Sequence, residues 1–213
     1  MPAQDDADVF VNCPFDRKYE PLFYALLFTI HDCGFRARSA REVDDSSDAR
    51  ISKLYRLIGE CQYGIHDIPR TELDPTNRLP RFNMPLELGL FLGAKAYGDK
   101  ANASKRCLIL DRDPWRYQKF CSDIAGHDIR AHGNRVPRAI EQARDWLRQW
   151  LPSASRIPGG ATIARRYRAF RGILPEACEV EGLDHRKLPY FDHHKLIVAW
   201  LQENPGPEAP NQA

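Results

Sequence analysis

Glu87 is the only carboxylate in the stretch from Arg81 to Ala94, and between Met84 and Ala94 every other residue is apolar or glycine. Asn83 is a favoured N-cap and Pro85 suits a first turn, so the pattern predicts a helix opening here with Glu87 near its N-terminal end. A run this greasy reads as a helix covered on more than one side. An ionised side chain inside it is unfavourable unless paired, hydrogen-bonded or held at the rim of a pocket for chemistry. The plainer alternative is a glutamate folded back to cap its own first turn, where the helix dipole favours negative charge.

Presenting such a residue to a ligand requires a scaffold, and hydropathy describes one. Val9 to Cys13, Phe35 to Arg38, Tyr63 to Ile68, Cys107 to Leu110 and Asp128 to Ala131 read as short β-prone runs. Between them lie helical patterns at about Tyr19 to Asp32, Ala49 to Cys61 with Asp48 as cap, the Glu87 helix, a short piece near Trp115, and Val136 to Leu151. Leu22, Leu26 and Ile30 mark the inner face of the first helix and Ile51, Leu54 and Ile58 that of the second; Gly34 serves as a stop. Strands alternating with helices predict an α/β fold, a doubly wound parallel sheet of about five strands. Such sheets bind ligands beyond the carboxyl ends of their strands. That rim receives Asn12 to Asp16, the loop Ser39 to Asp48, Asp67 and the Asn83 to Glu87 turn.

Three segments carry a resemblance: Val9-Phe10-Val11-Asn12-Cys13-Pro14-Phe15-Asp16, Gly64-Ile65-His66-Asp67 and Asn83-Met84-Pro85-Leu86-Glu87-Leu88-Gly89. Together they resemble the superfamily of TIR domains and nucleoside 2-deoxyribosyltransferases, most of all its bacterial TIR-like group, over about residues 8 to 151. In both families a glutamate at the start of the helix after the third strand is catalytic, and Glu87 stands in that place. The resemblance implies cleavage of an N-glycosidic bond between ribose and a base, with NAD as substrate rather than cofactor and nicotinamide as leaving group. It also implies that Asn12, Phe15, Asp16 and Asp67 line the ribose and base pocket, and it carries an association with bacterial defence. The Trp-Cys pair that precedes the glutamate in many TIR domains, and the Ser-Gly-Thr-like segment of the transferases, are both missing. Deoxyribosyl transfer or hydrolysis, and a non-catalytic nucleotide sensor, are the competing readings.

The chemistry is coherent with the residue types. Glycoside cleavage builds positive charge on the ribose, and a carboxylate near that carbon stabilises it or attacks to form an ester. Asn83 could orient Glu87 or touch ribose, while Asp16 and Asp67 could accept from hydroxyls or merely shape turns. Arg41 and Arg81 are candidate phosphate partners through their bidentate forks, against the ordinary reading as solvated surface charges.

The 213 residues carry a net charge of +2, with 43% hydrophobic and 28% charged residues, the make-up of a soluble globular chain. That balance is too mild to suggest nucleic acid. Six scattered cysteines without a C-x-x-C pair read as free thiols, and the acidic start and lack of a long apolar run predict a cytoplasmic protein off the membrane. His31-Asp32, His66-Asp67 and His127-Asp128 invite comparison with metal-dependent HD phosphohydrolases, but that family sets its ligands on helices whereas His66-Asp67 falls in a strand, so no metal site is expected. P-loop and Rossmann glycine motifs are absent from the sequence. Beyond the loop at 152–160, Ile163, Tyr167 and Phe170, then Leu196, Ile197, Trp200 and Leu201, predict a C-terminal helical extension to residue 202. Its apolar stripe is expected to meet another copy or a partner protein. Arg165, Arg166, Arg168 and Arg171 read as solvated. The Pro-rich tail 203–213 is expected to be disordered.

Overall fold

The computed structural model describes residues 7–42, 47–73, 78–153 and 155–206. Five parallel strands, β1 (Asp8–Asn12), β2 (Arg36–Arg38), β3 (Tyr63–Asp67), β4 (Arg106–Asp111) and β5 (Ile129–Ala131), form one sheet in the order β2-β1-β3-β4-β5. The doubly wound α/β fold expected from the alternation is present. The acidic pair Asp44-Asp45 and most of the Pro-rich tail lie outside the described residues.

Successive residues of a strand point to opposite faces, and the core divides accordingly. Val9, Val11, Ile65, Leu108 and Leu110 face α1 (Glu20–Asp32) and α5 (Val136–Arg148); Phe10 faces α2 (Arg50–Glu60) and α3 (Asn83–Tyr97). Helix α1 buries every residue from Leu22 to Ile30, as a helix covered on all sides must. It ends at Gly34, whose φ of 83° suits the left-handed position; Gly34 N–H donates to the His31 carbonyl and Phe35 N–H to that of Ile30.

Helix α2 rests on Leu54, Leu57 and Ile58, whereas Ile51 is 36% exposed, so the inner face is turned from the one expected. Asp48 pairs with Arg56, and the cap residue is Ala49, which makes no side-chain bond to the helix. The other end is closed by the buried Lys105, whose Nζ donates to the Ile58 and Cys61 carbonyls at 2.5 and 2.6 Å, a cation at the negative end of the helix dipole. A one-turn helix α4 (Lys100–Ala103), not foreseen, leads into β4.

Helix α3 is capped one residue earlier than expected. Phe82 is the cap residue and Asn83 the first helical one, and Asn83 makes no capping bond. The helix is covered on one side only: Met84, Glu87, Leu88 and Phe91 are buried, whereas Leu86 is 56% and Tyr97 92% exposed. It approaches the sheet over Gly64, where a Cβ would stand 2.6 Å from His66 Nε2 and 3.0 Å from the Phe91 ring. Only glycine lets α3 sit that close.

The C-terminal helices α6 (Gly160–Val180) and α7 (Tyr190–Glu203) are part of this core. Ile163, Tyr167, Phe170 and Ile197 pack on α1 and α5, Phe28 lies 5.4 Å ring to ring from Tyr167, and Arg166 holds Asp32 at 2.9 Å. The apolar stripe expected to meet a partner is therefore occupied within the chain. Among the described residues no helix is long and apolar enough to cross a membrane.

Candidate functional site

In a sheet ordered 2-1-3-4-5 the chain leaves β1 in both directions, to β2 on one side and β3 on the other. The crevice outside the carboxyl ends of β1 and β3 is where such folds take ligands. Helix α3 follows β3 and holds Glu87 on its buried stripe between Met84 and Phe91, close to that end of the sheet.

Glu87 is 4% exposed. Burial pushes its carboxyl from the ordinary 4.5 up to about 7, against the opposing pull of Arg50. The Arg50 guanidinium stands 3.8 Å from Glu87 Oε1, at the edge of ion-pair range, and its side chain is 59% exposed. Arg50 is the first residue of α2, thrown toward the same rim by the β2 loop. Its guanidinium also lies 6.0 Å from the Phe15 ring centre, and Arg41 lies 5.7 Å from that ring. One half-buried aromatic ring thus lies within reach of two arginines, and one of these, Arg50, faces a carboxylate that is easily protonated.

Arg41 is set among rings, 5.8 Å from Phe23 and 5.9 Å from Tyr190 of α7. Its enclosed Nη1 finds no acceptor among the described residues. Cys13, 3% exposed, has its thiol pushed well up by burial and by the negative charges of Asp67 and Glu87, so it stays protonated and is no nucleophile.

Two of the expected ligand-facing residues support the crevice from beneath. Asn12, 1% exposed, donates from Nδ2 to the Met84 carbonyl at 2.9 Å and to His66 Nδ1 at 3.1 Å, tying the end of β1 to the first turn of α3. Burial depresses the His66 imidazole to about 3, leaving it neutral. Asp67, also 1% exposed, accepts from the Tyr19 hydroxyl and lies 2.8 Å from His132 Nε2. With these partners Asn12 and Asp67 brace the rim, while Asn12 Oδ1 and Asp67 Oδ1, both buried, find no hydrogen-bond partner among the described residues.

Asp16 and Arg81 fall in the neighbouring hollow, about 590 Å³, rather than against Glu87. Asp16 accepts from the backbone N–H groups of Lys18 and Tyr19 and faces Arg70 at 3.1 Å and Arg81 at 3.7 Å. Asn83 is exposed at the surface. Of the residues singled out by sequence, then, Glu87, Phe15 and Arg41 come together. Cys13, within the segment expected at the rim, joins them, as do Arg50 and Tyr190, which were not anticipated. For Arg50 a signal existed in its place as the first residue of a helix entering from the rim; for Tyr190, far along the chain, there was none. Among the described residues no group of three or more His, Cys, Asp or Glu side chains is placed to hold a metal ion. No protein-family model matches the chain, and neither does any curated protein or solved structure.

Proposed function

We propose that this chain cleaves the N-glycosidic bond of a nicotinamide nucleotide, with Glu87 as the catalytic carboxylate. The observation that carries the reading is Glu87 itself: a carboxyl on an otherwise apolar stripe, at the switch point of a parallel sheet, faced by one loosely held arginine. The likeness of the Asn83 to Gly89 segment to TIR-like and deoxyribosyltransferase sequences adds the bond to be broken.

In this mechanism the bond from ribose C1′ to the nicotinamide nitrogen breaks and its electron pair leaves with the base, which departs neutral. The ribose is left as an oxocarbenium ion, and ionised Glu87 lies against it and offsets its charge. Water then attacks C1′ and releases its proton, giving the ribosyl product. The incoming pyridinium favours the ionised form of Glu87 and reverses part of the shift imposed by burial. Phe15 supplies a flat wall for base or sugar, and Arg41 and Arg50 supply positive charge for phosphate. Arg50, exposed and loosely held, swings from Glu87 to the phosphate as the substrate enters.

The test is incubation of purified protein with NAD, deoxynucleosides and nucleoside monophosphates, wild type beside Glu87→Gln. Nicotinamide release that falls by about a thousandfold or more in the variant is expected, the scale of losing one main electrostatic stabiliser. Base exchange between deoxynucleosides would move the assignment to a transferase. Absence of turnover with a nucleotide-dependent rise in melting temperature would reduce the protein to a sensor.

A further inference from the structure

The rim continues past Asp16 into three hollows that share walls. The first, about 590 Å³, and a second of about 280 Å³ have Lys18 and Arg70 in common. A third, about 570 Å³, shares Arg112 with the second and Glu72 with the first. The three hollows thus neighbour one another around the carboxyl ends of β1, β3 and β4, sharing these lining residues.

Its carboxylates are already engaged. Asp16 is faced by Arg70 and Arg81, Glu72 by Arg112 at 2.6 Å and Arg116 at 3.4 Å, and Asp113 by Arg112 at 2.6 Å. Arg17, Lys18 and Lys119, all exposed, have no carboxylate partner among the described residues. A chain of net charge +2 thus gathers an excess of cations in one concave strip, where field lines concentrate.

At one end stands Trp115, 69% exposed, its backbone in the left-handed region at φ 61°, a conformation rare for a bulky residue. Phe120, 39% exposed, lines the same hollow, with Arg116 5.6 Å over its ring. An exposed indole at the end of a basic groove is the arrangement that binds single strands: phosphates follow the cations and unpaired bases stack on the ring.

We propose that this groove binds single-stranded nucleic acid, with phosphates along Arg17, Lys18 and Lys119 and a base stacked on Trp115. The site is separate from Glu87 and does not depend on the function proposed for it. The mild overall charge conceals it, because the strip holds carboxylates of its own and the rest of the chain offsets the remaining surplus.

The experiment is fluorescence anisotropy of a labelled single-stranded oligonucleotide of about a dozen nucleotides, titrated with the full chain at low and at physiological salt. The wild type is expected to bind with an affinity that falls steeply with salt. The double reversal Arg17→Glu with Lys18→Glu should weaken binding by about tenfold or more and flatten the salt dependence. Trp115→Ala should weaken it by about fivefold or more with the salt slope unchanged, and Trp115→Phe should restore most of the loss. Arg165→Glu with Arg168→Glu on α6, an equal change of charge outside the groove, should leave affinity near wild type. Failure of the wild type to bind at low salt would overturn the proposal. So would wild-type affinity in either groove variant, or an equal loss in the α6 control.

Discussion

Glu87 owes its character to where α3 places it rather than to any strong partner. A group whose pKa in the folded chain lies above its ordinary value contributes most to stability while protonated. For Glu87 that contribution is complete below about pH 4.5 and is lost as pH rises through about 7. Glu87→Gln, which stays neutral, should therefore stabilise the chain by up to roughly 3 kcal/mol at pH 8 and by almost nothing at pH 4, as denaturant titrations at the two values would reveal. Catalysis runs the other way. If the ionised carboxylate performs the cleavage, kcat/KM should climb with pH and level off above about 7. A variant that grows more stable in the pH range where the wild type is most active would show one side chain serving the reaction at the expense of the fold.

At the scale of elements, α3 is held to the sheet by the missing side chain of Gly64 and by the Asn12 bond to the Met84 carbonyl. Gly64→Ala should drive Phe91 and its helix outward, lowering stability by about 1–3 kcal/mol and reducing activity beyond what the stability loss explains, since Glu87 moves with the helix. Paired chemical denaturation and kinetics would separate the two effects. The alternation of strands and helices is legible in the sequence because Val9 to Val11 and Cys107 to Leu110 are unbroken apolar runs and α1 repeats its leucines at helical spacing. The one-sided burial of α3 is not legible: Leu86 and Leu88 look alike on paper, and only the direction of approach over Gly64 exposes the first and buries the second. The same holds for Asn12 and Asp67. Their rank as rim residues follows from position, but their engagement by Met84, His66, Tyr19 and His132 depends on pairings between distant segments.

For the molecule as a whole, α6 and α7 complete the core on which α1 lies. A chain ending at Leu151 would expose Phe28 and much of α1, which now pack against Tyr167, Phe170 and Trp200. It should lose its cooperative unfolding transition and aggregate, where a detachable appendage would leave a smaller folded protein; circular dichroism and light scattering of the truncated chain distinguish these outcomes. Length and hydropathy announce these helices, but not their destination, because an apolar stripe fits a neighbour in the same chain as readily as one in another. The contact of Tyr190 with Arg41 also has a temporal side. Every strand of the sheet leaves the ribosome before Tyr190 is made, so the cage around Arg41 closes only after the scaffold has emerged. A nascent polypeptide halted ahead of that tyrosine would carry Glu87 in an unfinished setting, so if the proposed cleavage acts on a cell's own nucleotides, incomplete copies would spare them.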